Sequence, residues 1–82
     1  MEKLIGKVIH YYPKVKAAIV ELKASLKIGD KIKLKKGERE FEQEVTSIQI
    51  EHKPIKRAKK GDKIGLLVIE PVKEGFEVYK IS

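Results

Sequence analysis

The sequence contains no cysteine, which excludes a disulfide framework, a thiolate metal site and a cysteine nucleophile together. Tryptophan and asparagine are also missing, and Gln43 and Gln49 are the only amide side chains. No apolar run approaches the length of a membrane span, and the opening segment lacks the apolar stretch of a signal peptide. A cytoplasmic protein with no membrane partner is therefore expected. At 82 residues there is room for one small domain, 1–82, whose core must be well packed because no covalent staple supports it. Hydrophobic residues make up 41%, too many for a disordered chain. The 38% charged fraction, mostly Lys and Glu, resembles a thermophilic composition.

Ile and Val number 18 against 10 for Leu and Ala together, and β-branched side chains suit a pleated surface better than a helix. Glycines and prolines punctuate the chain, and no long apolar stripe of period 3.6 is present. The pattern predicts an all-β fold with six strands, at about Leu4–Tyr12, Val15–Leu22, Lys31–Lys36, Arg39–Glu51, Lys63–Glu70 and Phe76–Ile81. In the fourth, Phe41 and Val45 are odd-numbered while Ile48 and Ile50 are even-numbered, so a regular strand cannot send all four to one face. A bulge or sharp bend near Thr46-Ser47 is expected. The fifth is apolar on both faces, which makes it either covered on both sides, the expected case, or open on one side to a partner.

A short motif recurs. Lys27-Ile28-Gly29-Asp30-Lys31-Ile32 is echoed by Lys59-Lys60-Gly61-Asp62-Lys63-Ile64, with a weaker third copy at Lys73-Glu74-Gly75-Phe76-Glu77-Val78. It reads as a strand-entry device, the Gly taking a positive-φ turn position and the Asp bonding nearby backbone N–H groups.

These residues carry a resemblance. Leu26–Ile32, then Val45-Thr46-Ser47-Ile48, then Ala58–Leu66, with Gly6-Lys7-Val8 as the opening strand, resemble the β-barrel second domain of elongation factor Tu and related translation GTPases. The likeness covers nearly the whole chain. It is nearest to small stand-alone elongation-factor-like proteins and to the similar barrel at the C-terminus of some collagenase-like peptidases. Phe41-Glu42-Gln43 together with Ile48–Pro54 looks like that subgroup. The resemblance implies a closed or nearly closed six-stranded barrel of the translation-protein type. In the full-length factors this domain packs on a GTPase domain, helps hold the acylated end of tRNA and touches ribosomal RNA. The chain has no Gly-x-x-x-x-Gly-Lys-[Ser/Thr] loop to cradle nucleotide phosphates, so no nucleotide and no other cofactor is expected. Lys63 stands where elongation factor Tu usually has an Asn lining its aminoacyl pocket, and Glu51, followed by His52, stands where some versions have a His. No pocket residue is carried over.

Catalysis finds little support. His10 and His52 lie in no metal-binding spacing, and Ser25, Ser47 and Ser82 lie in no nucleophile elbow. Glu38, Glu40, Glu42 and Glu44 alternate along a strand and read as one solvated face. The basic residues are the better lead, since 19 Lys+Arg oppose 12 Asp+Glu. Lys53, Lys56, Arg57, Lys59 and Lys60 cluster in one connection, and Lys31, Lys33 and Lys35 should form one exposed row. Segregated positive charge suits phosphate contacts, with Tyr11, Tyr12 and Tyr79 available to stack on bases. The main expectation is therefore a non-catalytic module that contacts tRNA or ribosomal RNA through those eight residues. The alternative is a protein-interaction module docking on a separately encoded enzyme or GTPase. Its anchor would be an apolar face of Ile64–Ile69 or the Tyr11-Tyr12 edge.

Overall fold

The computed structural model describes residues 2–81, and they form an all-β fold with no helix. Ten strands are present: β1 (Glu2–Tyr12), β2 (Ala17–Leu22), β3 (Leu26–Lys27), β4 (Lys31–Lys36), β5 (Arg39–Glu44), β6 (Ile48–Ile50), β7 (Lys53–Ile55), β8 (Arg57–Ala58), β9 (Lys63–Leu67) and β10 (Glu77–Ile81). The main sheet has eight strands in the order β5-β4-β10-β1-β2-β9-β6-β7, and β3 pairs with β8 in a separate two-stranded ladder. All pairs are antiparallel.

The period-2 pattern accounts for the core. Ile32 and Leu34 on β4, Val20 and Leu22 on β2, and Ile64 and Leu66 on β9 all point inward and are buried. β1 must serve both β10 and β2, and its register slips once against each, between Leu4 and Gly6 and between Val8 and His10. Each slip adds local bend and twist, which lets one long strand curl around the core.

The structure departs from the six-strand expectation in three ways. The short strands β3, β7 and β8 lie in segments where no strand was expected. The anticipated fourth strand is broken into β5 and β6 at Val45-Thr46-Ser47, where the parity argument placed a bend; Phe41, Val45 and Ile48 are all buried as a result. The sheet is also not closed into a barrel by strand pairing, because the end strands β5 and β7 have no ladder with each other. A side chain spans part of the gap. The Gln43 Nε2 donates to the Leu67 carbonyl at 2.8 Å, and the Ile69 N–H donates to Gln43 Oε1 at 2.9 Å. The β5 end is thus tied to the segment that leaves β9 by an amide acting as a substitute for a peptide group.

The recurring turn is built alike each time. Gly29, Gly61 and Gly75 have φ of 97°, 94° and 98°. In the first two copies Asp30 Oδ2 accepts the Lys27 N–H and Asp62 Oδ2 accepts the Lys59 N–H, both at 3.0 Å. Only a residue without Cβ takes such a φ at little cost, and an Asp at the next position closes the turn from its side chain.

Candidate functional site

The two groups of basic residues fare differently. Lys31, Lys33 and Lys35 do lie along β4, but the β4–β5 register sets them directly against Glu44, Glu42 and Glu40. Lys33 Nζ sits 3.0 Å from Glu2 and 3.3 Å from Glu40, and its side chain is only 14% exposed. Hydrogen bonds that Lys33 donates to Glu2 first, and then to Glu40, raise its pKa above the ordinary lysine value. The expected lysine row therefore runs beside a row of glutamates: Lys33 is ion-paired, while Lys31 and Lys35 are exposed with no carboxylate within 4.0 Å among the described residues. The sequence held a signal for this. Gly37-Glu38 is a two-residue hairpin loop, Gly37 having φ 61°, and such a loop fixes the register that pairs the Lys row with the Glu row.

The remaining cations lie elsewhere. Lys53 is on β7, Arg57 on β8, Lys56 between them, and Lys59 and Lys60 in the turn that enters β9. All are exposed, and among the described residues none has a carboxylate within 4.0 Å. Four strands separate β4 from β6–β7 in the sheet order, so strand pairing does not bring the two groups together. The tyrosines are spread over β1 and β10. Tyr79 is on β10 with its hydroxyl donating to Glu77 at 3.2 Å, and burial, followed by the Glu77 charge, raises its pKa. Tyr11 packs against the core, and Tyr12 pairs with Ala17 at the start of β2.

Tyr12 lines an open groove of about 600 Å³ on the outer face of β2, β9 and β6. Cross-strand register builds its floor: Ile19 faces Gly65, which faces Gln49, while Ala17 faces Leu67. The absence of a side chain at Gly65 and the small one at Ala17 leave this floor low between Ile19, Tyr12 and Leu67. Lys63, Glu51 and His52 stand at its polar side. The resemblance names these positions as departures from the elongation factor Tu pattern and carries over no pocket residue; the fold gathers the three in one groove. Glu51 and His52 achieve this through positive φ values of 50° and 67° in the turn between β6 and β7, a strained arrangement for residues with a Cβ.

The apolar character extends beyond the groove. Leu67 is 46% exposed and Ile69 66%, with Val15 and Tyr12 also open to solvent. The expectation that β9 is covered on both faces is thus corrected. β9 is central, with β2 and β6 on its two sides, yet only Ile64, Leu66 and Val68 are buried and the opposite face is bare.

Neither histidine belongs to a recognisable reaction centre. His10 Nδ1 lies 3.9 Å from Glu74, with its ring edge-on to Tyr12 at 4.4 Å. Among the described residues no group of three or more His, Cys, Asp or Glu is placed to hold a metal ion, and no helix is long and apolar enough to cross a membrane.

This all-β fold has counterparts among solved structures. It superposes on two crystal structures of the C-terminal domain of a putative U32 peptidase from Geobacillus thermoleovorans. One matches with a TM-score of 0.90 at 20% identity, covering 98% of this chain and 93% of that one; the selenomethionine form matches with 0.87, covering 93% and 96%. In sequence the chain is 43% identical over 79 residues to an uncharacterized protease of Methanocaldococcus jannaschii. That match takes in 95% of this chain but only 19% of the protease, so the chain spans about a fifth of the length of the curated relative. No family model matches the chain.

These findings support the peptidase side of the sequence resemblance and overturn its translation side. The matched chains are peptidase-like, not elongation factors, and the β4 lysines that were to extend a nucleic-acid footprint lie opposite the glutamates of β5. The assignment to translation and RNA binding is corrected accordingly.

Proposed function

We propose that this domain is a non-catalytic protein-docking module that works with a peptidase-type catalytic part, whether joined to it or separately encoded. The observation that carries the proposal is the bare outer face of β9. A central strand flanked on both sides ordinarily turns a polar face to water if that face is uncovered. Here Leu67, Ile69, Val15 and Tyr12 are open beside a groove of about 600 Å³. Contiguous exposed apolar surface of this kind marks an interaction site, and a partner's apolar side chain entering the groove supplies the anchor such interfaces use. The 81% of the Methanocaldococcus jannaschii protease that lies outside the match is the kind of partner implied, since the matching segment there is one part of a longer chain (100 − 19 = 81).

The test is association between this chain and that protease lacking its matching segment, measured by calorimetry. Binding is expected, and Leu67→Glu with Ile69→Glu should weaken it by about tenfold or more without unfolding the domain. Absence of association, or association indifferent to both substitutions, rejects the proposal.

A further inference from the structure

The β3–β8 ladder places Lys27 directly opposite Arg57. Like charges facing each other across an antiparallel pair are destabilising. Two other ladders also set like charges opposite each other, Lys3 against Lys80 and Lys36 against Arg39, but there Lys80 pairs with Asp30 and the Lys36 Nζ donates to the Glu74 carbonyl. Lys27 and Arg57 are both exposed, and their neighbours Lys56, Lys59 and Lys60 are exposed as well. The acidic groups closest in sequence are turned away from them. Asp62 accepts the Lys59 backbone N–H, while Asp30, only 9% exposed, accepts that of Lys27 and pairs with Lys80 at 3.4 Å. Within this cationic surface sits one apolar side chain, Ile28, whose backbone N–H donates to the Lys56 carbonyl at 2.9 Å and which is 44% exposed.

We infer that this surface is a second docking site, which binds an acidic peptide segment carrying an apolar side chain. Lys27 and Arg57 would meet its carboxylates and Ile28 would touch its apolar residue. The exposed isoleucine fits a polypeptide better than a phosphate backbone. Tyr12, the most exposed tyrosine, lies away from the β3–β8 ladder: it pairs with Ala17, and five residue steps of β2, about 17 Å of strand, separate Ala17 from Leu22 at the end that leads into β3. The inference rests on the docking reading above and adds the charge and place of a further contact.

The probe is a fluorescein-labelled peptide of six glutamates with a leucine at its centre, titrated with the full chain at low salt. Binding is expected to weaken as salt rises. Arg57→Glu should lower the affinity by about tenfold or more. Because that change puts opposite charges across β3–β8, Tm should hold or rise. Removing the same number of charges at Lys7 and Lys35, each opposite a glutamate, should change affinity less than twofold (roughly, by the same reasoning). The inference fails if the peptide does not bind, if Arg57→Glu leaves binding intact, if the Lys7 and Lys35 changes weaken it equally, or if a ten-nucleotide polyuridine binds more tightly than the peptide. Loss of peptide binding with retained association through Leu67 and Ile69 would reject this site alone and leave the first standing.

Discussion

At the residue scale the chain spends its few special residues on backbone geometry. Gly6 lies where β1 slips against β10, and a Cβ there would come within 2.8 Å of Val20 Cγ1 and 2.9 Å of the Glu21 carbonyl oxygen. The carbonyl belongs to the neighbouring strand and cannot step aside as a side-chain tip can. Gly6→Ala should therefore cost about 1–3 kcal/mol, read as a lower urea midpoint with an unchanged m-value. The two turn aspartates separate in the same measurement. Both close a turn at 3.0 Å, but Asp30 is buried and also holds Lys80, whereas Asp62 has no ion pair among the described residues. Asp30→Ala should be the more damaging by about 1 kcal/mol or more, since it also strips a carboxylate from a lysine. Equal losses would mean that the Lys80 contact contributes nothing. These turns were legible in the sequence because their chemistry is local: a Gly followed by an Asp names the backbone conformation without knowledge of what packs above it.

At the scale of elements the charge ladder of β4–β5 has a pH signature. Lys33 has its pKa raised by hydrogen bonds it donates to Glu2 and Glu40, so the fold holds its proton more tightly than the unfolded chain does. The contribution is complete below the ordinary lysine value of 10.5 and is lost as pH rises through the higher folded value. Tyr79 acts in the same direction. Burial raises its pKa above 10.0, so the fold resists ionisation that the unfolded chain accepts. Stability should fall from about pH 10 upward, and Lys33→Arg, which stays charged there, should flatten part of that limb in urea melts between pH 8 and 11.5. An identical limb in the variant would show that Lys33 does not carry it. The ladder also explains why function was harder to read than fold. Alternation along 31–36 correctly gave a row of lysines, and alternation along 38–44 a row of glutamates, but a strand read alone does not say which row lies beside it. The parity break in 39–51 was readable for the opposite reason, since the conflict between Phe41, Val45 and Ile48, Ile50 lies within one segment.

At the scale of the whole molecule the departure from the sequence reading is the manner of closure. Six strands were expected to complete a ring through backbone pairing, and instead the ladder stops at β5 and β7. Gln43 was quoted in the sequence only as part of a motif, because nothing local to a glutamine says that its amide will replace a missing strand contact 24 and 26 residues away. Its position has a consequence for docking. The clasp grips Leu67 and Ile69 by their backbones, and these are the residues whose side chains form the open apolar ledge. A leucine at 43 matches the size of the amide and removes both bonds, leaving the Leu67 carbonyl and the Ile69 N–H without partners at a part-buried site. A loss of about 1–3 kcal/mol is expected, with the ten-strand fold retained. Ile69 N–H exchange should accelerate far more than that of Ile64, which sits in the β2–β9 ladder. Gln43→Glu keeps one acceptor for Ile69 but presents a carboxylate to the Leu67 carbonyl, so at neutral pH it should loosen the ledge about as much and recover below about pH 4 as the acid protonates. If Ile69 exchange were unchanged in both variants, the ledge would be held by side-chain packing, and the clasp would be incidental to the face proposed to dock.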